Sequence, residues 1–549
     1  MSTWVRTVED AYDDYCALSY VWGSPDNTMP IHVDRYEFGA TQNLAAALRH
    51  ISSMLQKDEV LLLWIDAISI NQQDIQERNQ QVAAMTEIYE SAAFVTSWLG
   101  EEHVKGIEYL DELGRFATAR DEDPTRLEMK RSKVDFETHV KGRYQDIKAA
   151  IALLCHSYWE RVWTVQEYSS PKPGLFLSGT SWMDKGVLTP ALRLYTQSLK
   201  MVARAYERQG NDAFFVDASL QQVQKIIHHH SLAYIRANPS AVSPELLDSF
   251  RLLLRFWKLK STDARDKVYA PLAMSKPSQG LLDAIKVDYR VSVAELYTRV
   301  AVLWTGSDKW PLGILELCRL GASDYQIPSW APDWTQIPRN MLSQDGNTGE
   351  QVACASRGLF ETSPSPARHI AEDGEDLLVL EGIRFDSVVQ VWPVLSSPQI
   401  LKTQELAIEI TDIESEYAGT GETLGSAYRN TIFPGLSNGQ LEDTTNGRLV
   451  LATRKEWRLN PKMIPRIDRR RLARTSMGFI GLLPAEAEPD DEVWLVRGGN
   501  MFYVLRPDDA RRHVLVGEAY VHGLMQGELA TRTELYPGGL PSPETVVLR

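Results

Sequence analysis

Apolar residues in this chain repeat in two rhythms, and residues 61–100 show both in succession. Residues 60–65 are a short apolar run of strand length that stops on Asp66. Asn71, with Asp74 and Glu77 close behind it, supplies a helix cap and an acidic first turn. In the helix that follows, Ile75, Val82, Met85, Ile88, Tyr89 and Ala92 share one face, while Gln76, Glu77, Gln80 and Glu87 lie mostly off it. Residues 94–99 are a second apolar run, closed by Gly100. Strand, helix and strand at this spacing predict a βαβ unit with a right-handed crossover. Functional groups in such sheets gather at the carboxyl ends of strands, where Asp66, Ser69, Asn71, Gln72 and Trp98 fall.

The same patterning extends in both directions. Residues 15–23 (YCALSYVWG) read as a strand closing on Gly23, and residues 24–40 as a long loop over the sheet edge. Thr41 can cap a helix carrying Leu44, Leu48, Ile51 and Leu55 on one face. This order predicts an α/β domain with a parallel sheet between helices. Residues 106–141 are charged and irregularly helical, as an insertion would be. A stripe of Tyr144, Ile147, Ile151, Leu154, Cys155 and Tyr158 then leads into WERVWTVQE at 159–167, and 175–177 form a last strand of a domain spanning 1–184.

Residues 185–345 are mainly helical in pattern, with Thr189 and Pro190 opening the first helix. Residues 346–375 fall in a stretch rich in Gly, Ser, Pro and charge, which reads as a linker or loop. Short apolar runs in 376–549 predict a small, mostly antiparallel β domain, open or closed as a barrel, with a two-residue hairpin at Gly498 and Gly499 and a helix over 398–417.

Composition narrows the classes. A net charge of -15 argues against a general nucleic-acid binder. Cys16, Cys155, Cys318 and Cys354 are far apart and form no CxxC pair, so neither a zinc site nor a disulfide framework is expected. The first residues, MSTWVRTVEDAYDDY, hold no apolar signal region, and no apolar run approaches membrane-spanning length. A cytoplasmic protein without a membrane span is the expectation. Three motifs fail on context. Residues 435–439 fit GxSxG without a strand before or a helix after, and Gly419, Gly421 and Gly425 miss the GxGxxG spacing. His228, His229 and His230 are adjacent, whereas helical metal pairs sit at i and i+4. There is no Walker A motif to drive the protein with a nucleotide.

Three blocks, YCALSYVWG at 15–23, the segment from LWID at 63–66 to Gly100, and WERVWTVQE at 159–167, resemble the signature of the fungal heterokaryon incompatibility (HET) domain family. DARDKVY at 263–269, VDY at 287–289, PSWAPDW at 328–334 and LVGEAYVHG at 515–523 resemble segments that follow this domain. Ser69 stands where many members carry cysteine, and the lead-in before Tyr15 is short. The resemblance implies an effector of non-self recognition and programmed cell death, which associates with itself or with another HET or recognition protein.

The family in turn is similar, remotely, to TIR domains. Ala17–Ser19 with Tyr20 resembles their first strand, and Trp163 with Glu167 their tryptophan-to-glutamate helix motif. That likeness implies a TIR-like or Rossmann-like sheet and NAD as a substrate rather than a resident cofactor. It would make Glu167 and Asp66 catalytic, with Glu167 stabilising oxocarbenium-like charge as nicotinamide leaves. Tyr20, Trp22, Asn71, Gln72, Trp98 and Arg161 would bind substrate, Arg161 on pyrophosphate and Trp22 or Trp98 stacked on a base. The plain structural readings stand beside these. Asp66 can cap a loop, Glu167 can be a hydrogen-bonded helix carboxyl, and Trp159 and Trp163 can be core. Two classes therefore remain open, an NAD nucleosidase and a non-catalytic docking module.

Overall fold

The computed structural model describes residues 5–121, 143–208, 223, 226–227, 249–275, 283–307, 311–321, 323–336, 355–357, 359–360, 367–395, 405–409, 414–432, 442–444, 448–452, 467, 469–508, 511–532, 536 and 539–549. Its contacts divide the chain into two units, Met1–Arg290 and Val291–Arg549.

The first unit holds strands β1 (Cys16–Ser19), β2 (Thr28–Val33), β3 (Tyr36–Thr41), β4 (Leu63–Trp64), β5 (Phe94–Trp98), β6 (Gly174–Ser178) and β7 (Ser181–Asp184). Its main sheet runs β4-β1-β5-β6-β7, parallel through β6, with β7 turning back antiparallel. The crossover helix Ile75–Ser91 therefore joins strands that flank β1 rather than each other. Met85, Ile88 and Tyr89 bury its inner face, as the pattern predicts. Thr41 caps the helix Gln42–Met54 by accepting from the Leu44 N–H.

Four local readings change. The strand expected over 60–65 is only Leu63–Trp64, because Val60 is 84% exposed and the chain enters the sheet late. The crossover helix is capped by Asp74, not Asn71; Asp74 accepts from the Gln76 and Glu77 N–H groups. Residues 24–40 are no simple loop, for β2 and β3 pair as a hairpin around Asp34 and Arg35, both at positive φ. The helix Val104–Asp121 is core rather than insertion: Ile107, Tyr109, Leu110 and Leu113 are buried. Residues 122–142, 209–222 and 228–248, with the histidine tract, lie outside the described residues.

Packing runs through residue 184 without a break. Leu188, Leu192 and Tyr195 of the helix Leu188–Arg208 share one core with Leu110, Trp159 and Phe176. So do Leu252 and Phe256 of the helix Ser249–Phe256, and Ala270 and Met274 of the helix Asp266–Met274.

The second unit opens with the helix Val293–Thr305, capped by Ser292, and Trp304 stacks on Trp334 with ring centroids 6.0 Å apart. Its strands are β8 (Arg368–Glu372), β9 (Glu375–Val391), β10 (Glu405–Glu409), β11 (Glu442–Thr444), β12 (Arg448–Ala452), β13 (Arg470–Thr475), β14 (Ile480–Pro484), β15 (Glu492–Val496), β16 (Phe502–Pro507), β17 (His513–Val521) and β18 (Glu544–Leu548). The order β13-β14-β17-β16-β15-β9 closes when β9 pairs back on β13, which makes a barrel of antiparallel neighbours. The hairpin expected at Gly498 and Gly499 joins β15 to β16, but Leu495 pairs with Phe502, so its loop is longer than two residues. The helix expected over 398–417 is absent from the described part of that range, where Glu405–Glu409 pairs as a strand with β12. A helix occurs later, at Leu424–Ile432.

Candidate functional site

Parallel pairing brings the carboxyl ends of β4, β1 and β5 to one edge of the sheet. The chain leaves β1 through Tyr20 and Trp22, leaves β4 at Asp66, and ends β5 on Ser97 and Trp98. The register sets Ser19 directly beside Ser97. The Tyr158 hydroxyl sits between them, 2.7 Å from Ser19 Oγ and donating to Ser97 Oγ at 2.9 Å. Ser19 Oγ in turn donates to Glu167 Oε2 at 2.5 Å. A short helix, Val162–Tyr168, supplies the glutamate, and nearly every residue of it is buried.

Glu167 is 4% exposed, so the expected open carboxylate is instead a buried one. The anchoring is reversed as well, since Trp163 remains half-buried while the glutamate beyond it is enclosed. Loss of hydration pushes the Glu167 carboxyl up to about 8, helped by the nearby Asp66 charge and opposed by the Ser19 bond and Arg161. At neutral pH this carboxyl keeps its proton.

Asp66 opens a one-turn helix, Asp66–Ser69. Its Oδ2 accepts from the Trp22 indole at 2.7 Å and its Oδ1 from the Ala67 N–H at 2.7 Å. Asp66 retains surface exposure, yet protein surrounds it closely enough that burial is the largest influence on its carboxyl. Burial raises the carboxyl's pKa, while Trp22, Ala67, Arg161 and Tyr20 pull it back. The Tyr20 hydroxyl acts on this carboxylate without closing a hydrogen bond of normal geometry. Arg161 lies just before the Glu167 helix, in extended backbone, and donates to the Tyr20 carbonyl at 3.0 Å. Its charge reaches both carboxyls, but it closes an ion pair with neither.

Tyr20, Trp22, Asp66, Arg161 and Glu167 thus form one cluster, and Gln72 joins it by donating to the Asp66 carbonyl at 3.3 Å. Two sequence candidates stand elsewhere. Trp98 is fully buried and donates to Asn43 Oδ1 at 2.8 Å, so no ring face is left for a base. Asn71 is exposed, and its side chain only closes the turn onto the Gln73 N–H. Sequence reasoning missed Ser19, Ser97 and Tyr158. Ser19 lies within the quoted ALSY block, but nothing in the sequence shows that Ser97 stands beside it.

The cluster lies within a segment that matches a known family. Residues 15–167 match the family Heterokaryon incompatibility protein (HET), and residues 459–536 match the Het-6 beta-barrel domain. The chain therefore carries one segment similar to the HET family and a second similar to the Het-6 beta-barrel domain. It is similar to "Heterokaryon incompatibility protein 6, OR allele" of Neurospora crassa, with 23% identity over 95% of this chain and 90% of the relative. No solved structure matches. Among the described residues no helix is long and apolar enough to cross a membrane, and no cluster of His, Cys, Asp and Glu could hold a metal ion.

Proposed function

We propose that this chain is an effector of heterokaryon incompatibility, turning non-self recognition into cell death by cleaving NAD at the Asp66–Arg161–Glu167 cluster. The observation that supports the reading is two carboxyl groups with raised pKa sharing one arginine that pairs with neither. NAD presents a cationic nicotinamide and an anionic pyrophosphate. A bound pyridinium favours ionisation of a nearby acid, so substrate itself drives Glu167 to its carboxylate. The bond from the ribose C1′ to nicotinamide nitrogen then breaks, and its electron pair leaves with neutral nicotinamide. Asp66 and Glu167 stabilise the ribosyl cation, water adds to C1′, and a carboxylate takes its proton. Arg161 holds the pyrophosphate and Trp22 lies against a ring. Association of HET domains, with copies of this chain or with a recognition partner, is the switch.

The test is NAD loss by the purified full-length chain, alone and under forced clustering. Glu167→Gln keeps the shape and the Ser19 bond, and it should fold normally yet lose on the order of a hundredfold or more in cleavage. Killing should be lost with it. A second reading, a docking module without chemistry, draws on the completed Ser19 bond and 4% exposure of Glu167. It would stand if Glu167→Gln killed like the parent while an association-blocking variant did not.

A further inference from the structure

Residues 260–275 and 283–290 lie beyond the segment that matches the HET family, yet they touch both helices that flank the site. On the Glu167 side, Val162 N–H donates to the Lys260 carbonyl at 2.9 Å, and Lys260 N–H donates to the Glu160 carbonyl at 2.5 Å. Arg161 is thereby bracketed by backbone bonds, and Arg161 and Lys260 form a parallel bridge. One turn further on, Asp266, 7% exposed, accepts from the Tyr289 hydroxyl at 2.5 Å. The Trp163 indole reaches toward the same carboxyl and opposes the effect of its burial. Gln166 donates to Thr86 Oγ1 at 2.7 Å, and Thr86 donates to the Ala273 carbonyl at 2.7 Å.

On the crossover-helix side, Arg78 lies 3.6 Å from the centroid of the Tyr289 ring and 3.5 Å from Asp263. Asn79 accepts from the Tyr289 N–H at 3.0 Å and donates to Asp288 at 2.9 Å. Arg265 joins Asp263, at 2.8 Å, to the Tyr289 carbonyl. The motif DARDKVY and the motif VDYR are therefore two halves of one clasp.

We infer that residues 260–275 and 283–290 are a positioning device of the site: they brace the crossover helix and the Glu167 helix together and so set where Arg161 and Glu167 stand against Asp66. The crossover helix follows directly on the Asp66 loop, and the other helix carries Glu167 with Arg161 before it. Asp266 and Tyr289 are positioning residues, acting through Trp163. The inference rests on the site proposed above for its relevance to activity, but its geometry can be tested without NAD.

Trp163→Phe and Tyr289→Phe each remove one polar atom and keep a ring, and near-ultraviolet dichroism checks that the full-length chain stays folded. The readout is the titration of the Glu167 carboxyl, followed by its infrared carbonyl band and assigned with Glu167→Gln. A carboxyl whose proton affinity depends on nearby charges reports their distances. The clasp variants should move its midpoint by about half a pH unit or more. Ile51→Val, a core change in the helix Gln42–Met54, should destabilise comparably and leave the midpoint in place. If the clasp variants lose stability but titrate like the parent, the clasp is structural only and the inference is overturned. If the parent fails to cleave NAD while the midpoint still moves, the enzyme reading falls and the positioning role stands.

Discussion

Arg470 in the barrel and Arg161 in the N-terminal unit are both arginines beside buried carboxyl groups, but only Arg470 closes on its partner. Arg470 and Glu518, each with a side chain 3% exposed, form a direct ion pair, and Arg470 also donates to the Glu518 carbonyl at 3.0 Å. Arg161 instead spends a hydrogen bond on the Tyr20 carbonyl and leaves Asp66 and Glu167 to share its field. A buried charge is tolerated when its counter-charge and hydrogen bonds are complete. The barrel meets that condition, so its pair reads as architecture. The N-terminal unit does not, and an acid cluster short of positive charge is what folding alone would remove. Such an imbalance is common where a site awaits a ligand.

Breaking the matched pair should have the largest effect. Arg470→Met removes the direct counter-charge of the enclosed Glu518, which typically costs about 3–5 kcal/mol. Urea denaturation of the full-length chain should show the loss, and Arg470→Met with Glu518→Leu should recover much of it. A single variant as stable as the parent would mean that the pair is less enclosed than its exposure indicates.

The same logic reverses in the N-terminal unit. An unfolded glutamate ionises near 4.5, whereas folded Glu167 holds its proton to about 8. Between those values the folded chain binds more protons than the unfolded one, so this group makes stability fall as pH rises through the window. The fall is complete above the folded value and absent below the unfolded one. Glu167→Gln has no proton to lose. It should match the parent below about pH 5 and exceed it by a few kcal/mol above about pH 9, read from urea midpoints. A parent whose Glu167-dependent stability stayed flat with pH would place the carboxylate in a solvated setting, and one that rose would place it in a paired setting.

Much of this contrast was legible in the sequence, and its limits have physical causes. The α/β start, the inner face of the crossover helix and the antiparallel C-terminal strands follow from apolar periods that local packing obeys. Asp66 could be named because carboxyl ends of parallel strands share an edge, whereas Tyr20, Trp22, Arg161 and Glu167 were named from the family resemblance. Trp98 was misplaced because both its neighbours along the strand and its ring fill the core, which alternation alone does not reveal. Ser19, Ser97 and Tyr158 depend on the register of β1 against β5 and on a turn more than fifty residues later. The hairpin over 28–41 was hidden because Asp34 and Arg35 take left-handed backbone usually signalled by glycine.

The smallest change sharpens the comparison most directly, because both units contain the same bond. Trp22 donates its indole N–H to Asp66 at 2.7 Å, and Trp494 donates to Glu492 at 2.8 Å. Tryptophan to phenylalanine deletes that donor and keeps a ring at either place. Glu492 would still have Arg384 at 3.2 Å and His513 at 3.1 Å, and despite burial these partners hold its carboxyl below the ordinary range. Asp66 would keep the Ala67 N–H and the unpaired field of Arg161 against a burial that already raises it. Trp22→Phe should therefore cost about 1–2 kcal/mol at neutral pH, and Trp494→Phe about half of that in hydrogen-bond terms. The Trp22→Phe penalty should shrink as acid protonates Asp66 in the parent, since the lost donor favours only the carboxylate. Paired thermal melts across acid and neutral pH measure both effects. Equal penalties, or a Trp22→Phe penalty that persists in acid, would show that missing counter-charge is not what distinguishes the two units.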